Sequence, residues 1–437
     1  DVMEQFQPTA IRYQLNYLGW ALSVLQYSRM PAFHGYLSEA QRMLIEKYQQ
    51  RRVWSYWWIE NLWGNLESNP DPVRKQNVML SGFFGLQIGT YQSATGDMRY
   101  LEPGSVKFHW DRRRTYEYSL STICDAMARG IDASEWGMLV CEPNWLYSYC
   151  NGTAANTFKI QDRMTGTDYW SALEGRYIRT LDEEMHRPDG LAMSFKSTRT
   201  GYGHGAKPSR SVELRPIAPD LADRAWALMK AGVWLTDDEG KVTSTVFPHM
   251  PKALDYGNAG ESAAQRYGVM LQAAREAGDE ERASVTWNEL LEVGDPIRTR
   301  DGLEFPGASI MAKSNAGLGA FGRKGAWLDL VERGLPEAWA SGPILKEVPF
   351  DDVMVARAET DGQVLDLVLY PVDDVTETSL VLARLTPGRS YEVSGDLTTS
   401  VVSDDEGEAV VSVRLTGRTA IHIRPTATAS TSRLDAP

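Results

Sequence analysis

A mainly α-helical protein with a small C-terminal antiparallel β domain is the fold this sequence predicts, and two patterns carry the prediction. From the N-terminus to about residue 345, apolar residues recur at intervals of three and four, the period of a helix with one buried face. From about 351 to 425 the interval falls to two, in short runs such as DVMVARAE, QVLDLVLYP, AVVSVRL and TAIHIRP parted by Asp, Gly and Thr turns. Their order adds a third observation. Many helices followed by a β-sandwich-like unit suggest a helical toroid, paired helices in a ring with loops at one mouth forming a pocket.

The helical stretches lie near 8–29, 37–50, 71–95, 116–130, 153–165, 168–185, 219–231, 259–278 and 283–291. Between them run loops dense in Gly, Pro and Asn, including RTGYGHGAKPSR at 199–210 and RDGLEFPG at 300–307. Long loops in a helical domain usually build a site. The expected division is therefore a domain over 1–345, a β domain over 351–425 and a disordered tail over 426–437.

The 437 residues hold 45 Lys and Arg against 58 Asp and Glu, a net charge of −13 that repels a polyanion and argues against nucleic acid as a partner. The basic triplet Arg112, Arg113 and Arg114 is too short to reverse this and reads as a solvated turn. No run of 18 apolar residues suggests a membrane span, and DVMEQFQPTAIRYQ lacks the pattern of a secretory leader. Three cysteines are few and odd in number, as in a protein of a reducing, cytoplasmic compartment, where the sequon Asn151-Gly152-Thr153 has no use.

GLGAFG at 317–322 matches a dinucleotide-binding fingerprint in letters but follows the polar turn AKSNA and not a strand. The six histidines fall in six separate regions without metal-ligand spacing, so neither a metal nor another cofactor is expected. The aromatic load says more. Fourteen Trp and 19 Tyr include the clusters RVWSYWWIENLW (52–63) and NWLYSY (144–149), which place Trp57, Trp58, Asn144 and Trp145 as candidate substrate-binding residues. Such walls suit a sugar stacked on rings or a hydrocarbon bent among them, and composition does not separate the two.

The segment VCEPNWLYSYCN, with Cys141 and Cys150 nine positions apart, resembles the thiol-bearing segment of the linalool dehydratase/isomerase family. NYLGWALSVLQYSR resembles the family's first helix, making Tyr27 its pocket tyrosine, and RVWSYW with DPVRKQNVMLSG places Met79 in the pocket wall. DRMTGTDYWSA and the stretch from LLEVGDP to AGLGAFG match more loosely, so the likeness spans roughly 13–333. It implies an (α/α)6 barrel, ring-like homo-oligomers and cofactor-free loss, addition or migration of water on terpenoid alcohols. The chain also departs from the family. Ala21 stands where the family has an acidic residue, Phe83 where it has a histidine, and Pro31 and Arg51 where it has a second cysteine pair, while a later tyrosine is missing near 220–222.

The retained residues define an acid–base reading. A thiol in apolar surroundings stays protonated, so Cys141 or Cys150 can hand a proton to a hydroxyl or alkene. Glu142 is the competing acid or the base that takes a proton back, and Tyr27 holds the hydroxyl. The expected activity is that of a lyase or isomerase on a small apolar terpenoid, through a carbocation-like state. The alternatives are a terpenoid cyclase on the same scaffold, a carbohydrate-active enzyme, and a binding protein for an apolar ligand.

Overall fold

The helix Val78–Thr95 has no polar face: all eighteen of its residues are buried, which is what an all-round apolar helix requires. Three glycines one turn apart let its neighbour, Ser148–Thr165, come close. A Cβ built on Gly82 would stand 2.8 Å from Thr153 Oγ1, one on Gly85 2.9 Å from Thr157 Cγ2, and one on Gly89 3.2 Å from Ile160. Thr157 Oγ1 uses the closeness to donate to Gly82 O at 3.3 Å. These two helices form the centre on which the site is built.

The computed structural model describes residues 10–206, 210–244, 253–255, 260–299, 302–395 and 398–426. About half of the molecule is helical, with several small antiparallel sheets. It divides into two compact units, one of residues 1–28 with 40–334 and the other of 29–39 with 335–437. The first unit thus ends eleven residues before the expected 345, and a short N-terminal segment goes with the second unit.

In the first unit the periodic stretches become helices such as Ile11–Arg29, Tyr169–Glu184, Pro219–Val233, Ala263–Ala277 and Glu280–Gly294. Tyr56–Asn65, Ile310–Phe321 and Ala326–Glu332 are also helical, although the sequence reading assigned none of them. GLGAFG lies largely within Ile310–Phe321, where a Cβ on Gly319 would meet Leu271 Cγ at 2.5 Å, so that glycine serves helix packing. The stretch from 71 starts late because Asp71 Oδ1 accepts the backbone N–H groups of Val73 and Arg74, holding a turn ahead of Val78. The basic triplet is an exposed hairpin turn in which Asp111 binds Arg114. Among the described residues no helix is long and apolar enough to cross a membrane.

The second unit carries a five-stranded antiparallel sheet in the order Val353–Thr360, Leu365–Pro371, Thr419–Pro425, Ser390–Ser394, Thr399–Val402. A three-stranded sheet of Ile344–Glu347, Thr376–Ala383 and Ala409–Leu415 accompanies it. The N-terminal segment joins by backbone pairing, with Ala32 N–H donating to Ala358 O at 3.0 Å and Leu345 N–H to Ala32 O at 2.8 Å. Of the tail, Thr426 donates to Ser390 O, and residues 427–437 lie outside the described set.

Candidate active site

The Glu142-Pro143-Asn144-Trp145 turn sets the first catalytic candidate. Proline fixes φ at the second position, Asn144 takes φ +76° at the third, and Trp145 N–H donates to Glu142 O at 3.0 Å, the pattern of a type II turn. Cys141 N–H then donates to Trp145 O at 2.9 Å, so the chain doubles back and leads directly into the helix bearing Cys150. Asn151 ties the two limbs together. Its amide donates to Leu139 O (2.9 Å) and Tyr147 O (3.0 Å), and its oxygen accepts from Leu139 N–H (2.8 Å). At 1% exposure this asparagine is a structural clamp, closed to glycosylation in the folded chain.

Cys141 and Cys150 are reduced, buried and close neighbours. Burial pushes the Cys141 thiol well above the usual range, and Cys150 and Glu142 push it in the same direction. Glu142 is itself held above the ordinary carboxylate range by burial, and its Oε2 is a buried atom with no hydrogen-bond partner. Arg12 opposes both shifts. Its buried guanidinium lies 3.9 Å from the centre of the Tyr56 ring and 4.7 Å from that of Tyr13.

A cavity of about 400 Å³ opens beside these groups, within the range of small-molecule sites. Cys141, Glu142, Tyr147 and Cys150 line one part, Phe83 and Tyr13 the middle, and Tyr17, Tyr149, Arg210 and Glu213 another. The Phe83 ring lies 5.1 Å from Tyr13, 5.4 Å from Trp20 and 5.6 Å from Tyr149. The wall is mostly apolar, and its polar groups come from the first two turns of Ile11–Arg29, the start of Ser148–Thr165 with the turn and strand before it, and the short segment from Arg210 to Glu213.

Four of the candidates named from the sequence therefore meet at the cavity: Cys141, Cys150, Glu142 and Phe83. The others do not line it. Tyr27 is the clearest correction, since its hydroxyl donates to Gly334 O at 2.9 Å, fourteen residues along the first helix from Tyr13, about 21 Å at 1.5 Å per residue. Ala21 packs against Gly317 and not at the cavity, so its lack of charge removes nothing from the wall. Met79 stands behind, its sulfur 3.8 Å from Arg12 Nη2 and from Tyr13 Oη. Asn144 serves the turn, and its carbonyl accepts from Thr198 N–H at 2.9 Å. Trp145 packs edge-on to Phe195, Trp57 is core, and Trp58 leans on Trp110.

Sequence reasoning missed Arg12, Tyr13, Tyr17, Tyr149, Arg210 and Glu213. A signal existed for the first helix, where Tyr13, Tyr17 and Trp20 recur at four and three and share a face. The family model for linalool dehydratase/isomerase matches residues 12–311. The chain belongs to the linalool dehydratase/isomerase family. The match takes in every cavity residue named above, from Tyr13 to Glu213. Membership supports an enzyme with a dehydratase/isomerase-like role.

Solved structures with a similar trace are remote. A Listeria innocua protein is 14% identical, with 71% of this chain and 86% of that chain covered and a TM-score of 0.41. An α-1,6-mannanase of Salegentibacter sp. is 10% identical over 73% of this chain and 98% of its own, at a TM-score of 0.36. A β-L-arabinofuranosidase of Geobacillus stearothermophilus is 13% identical over 94% and 71%, at 0.30.

Proposed function

We propose that this family member is a lyase or isomerase that moves or removes the hydroxyl of a terpenoid alcohol without a cofactor. The observation that carries the reading is the pair of buried thiols beside a buried carboxyl group on the wall of a mostly apolar cavity. One thiol protonates the substrate hydroxyl, the C–O bond breaks, and water leaves an allylic cation. Glu142, as carboxylate, takes a proton from the neighbouring carbon, the alkene forms, and that proton returns to the thiolate. Arg12 is the nearby charge that favours the thiolate in between. Water re-adding at another carbon gives the isomerised alcohol. The scaffold for this chemistry is an (α/α)6 barrel with a β-sandwich-like unit, assembled as a homo-oligomer. A carbohydrate-active role finds no better support.

Phe83 shapes the outcome. An aromatic face attracts a cation by roughly 0.5–2 kcal/mol, about tenfold in rate at the upper end, and here a phenyl ring replaces a titratable group. Incubation with linalool, geraniol, nerolidol and longer prenyl alcohols, followed by gas chromatography with mass detection, is expected to give rearranged or cyclic products in preference to myrcene. Phe83→Ala should lower the cyclic share. Efficient myrcene formation from linalool would reject this view of Phe83, and the absence of any product would favour a binding protein.

The assigned roles also set a pH profile. Glu142 must be ionised to act as base, and its pKa is raised, so activity should climb with pH through a point above the ordinary value of about 4.3. The Cys141 thiol must be protonated to act as acid, and its pKa is also raised, so the alkaline fall should come above about 8.5. Glu142→Gln should abolish the acidic limb along with most activity. An acidic limb that survives in this variant would exclude Glu142 as the base.

A further inference from the structure

The cavity has a second polar end that the chemistry above leaves idle. Arg210 Nε lies 3.0 Å from Glu213 Oε1, and Arg210 Nη1 donates to the Tyr17 hydroxyl at 2.8 Å. Tyr17 donates to the Tyr149 hydroxyl at 2.9 Å, and Tyr149 donates back to Glu213 Oε1 at 3.4 Å, closing a ring of four side chains. Glu213 is only 5% exposed, yet its Oε2 has no hydrogen-bond partner. All four residues line the cavity.

This end is distinct from the thiol end. Of the cavity tyrosines, Tyr13 and Tyr147 feel the charges of Cys141 and Cys150, whereas Tyr17 and Tyr149 feel Arg210 and Glu213. The Phe83 ring stands between, in contact with Tyr13 on one side and Tyr149 on the other. A hydrocarbon with a single hydroxyl would satisfy the thiol end and press methyl groups on a buried ion pair, which is unfavourable because buried polar groups need partners.

We propose that the substrate is a difunctional terpenoid, with its reacting hydroxyl at the thiols and a second hydroxyl held by Glu213, Tyr149 and Arg210. This rests on the terpenoid alcohol reading above and narrows it. The cluster holds both an acceptor without a partner, Glu213 Oε2, and a second N–H on Arg210 Nη1 beyond the one given to Tyr17, and a hydroxyl both gives and takes a hydrogen bond. A phosphate or diphosphate does not fit. Glu213 already neutralises Arg210 at 3.0 Å, and the added negative charge would face Glu213 here and Glu142 at the other end.

The test compares linalool and geraniol with their ω-hydroxylated counterparts. The intact protein should prefer the diols by about 10²-fold or more in kcat/KM, since a site built to bind a hydroxyl rejects the analogue that lacks it. Glu213→Gln and Tyr149→Phe should each reduce that preference to below about tenfold, with melting temperatures recorded to confirm folding. A preference near one in the intact protein overturns the proposal and leaves the lyase or isomerase reading standing. So does an equal loss on both substrates that keeps the ratio unchanged in both variants. If neither alcohol nor diol reacts, the functional reading fails, and calorimetry then decides the second end: tighter binding of the diols sustains it, and equal or undetectable binding rejects it.

Discussion

Cys141→Ala and Cys150→Ala are each expected to fold and to lose about 10²–10⁴ in turnover, the usual worth of a general acid. Both side chains are small and a thiol is only a weak donor and acceptor, so removing one leaves little unsatisfied behind it. Melting temperatures should therefore stay close to those of the intact protein while activity falls. Serine is the more telling second substitution, because it keeps a hydroxyl of similar size but is a poorer acid than the thiol. More than half of the turnover retained in both alanine variants would return the cysteines to the ordinary packing role of buried thiols.

Asn151→Leu should show the converse pattern, a large loss of stability together with activity. The leucine side chain fills the space but strands two buried backbone groups, Leu139 N–H and Leu139 C=O, and takes away one of the bonds to Tyr147 C=O, the N-cap carbonyl of Ser148–Thr165. At about 1–3 kcal/mol for each unsatisfied group, a loss of about 2–6 kcal/mol is expected by denaturant unfolding. Turnover should drop as well, since the limb carrying Cys141 is no longer tied to the helix carrying Cys150. Unfolding within 1 kcal/mol of the intact protein would show that water or neighbours replace those bonds and that the clamp is dispensable.

The helices readable in the sequence were those with one apolar and one polar face. Ile310–Phe321 escaped because its glycines look like loop residues until Leu271 of Ala263–Ala277 is seen pressed against Gly319. The thiol half of the site was legible since Cys141, Glu142 and Cys150 are nearly contiguous and one tight turn arranges them. Its other half was not. Tyr17 meets Tyr149 across 132 positions and Arg210 across 193, distances over which periodicity carries no information. Tyr27 was misplaced for a related reason: every position on a long helix has neighbours, and Ile11–Arg29 does not itself reveal which end reaches the cavity.

The fully buried helix Val78–Thr95 has a consequence for synthesis. A helix of this length with no polar face is neither soluble nor stable alone, and its main packing partner ends at residue 165, seventy positions later. At about 5–20 residues per second, a ribosome leaves that apolar segment without its cover for roughly 4–14 s. Nascent chains stalled between residues 95 and 165 should therefore bind chaperones and aggregate, whereas chains released beyond the partner helix should not.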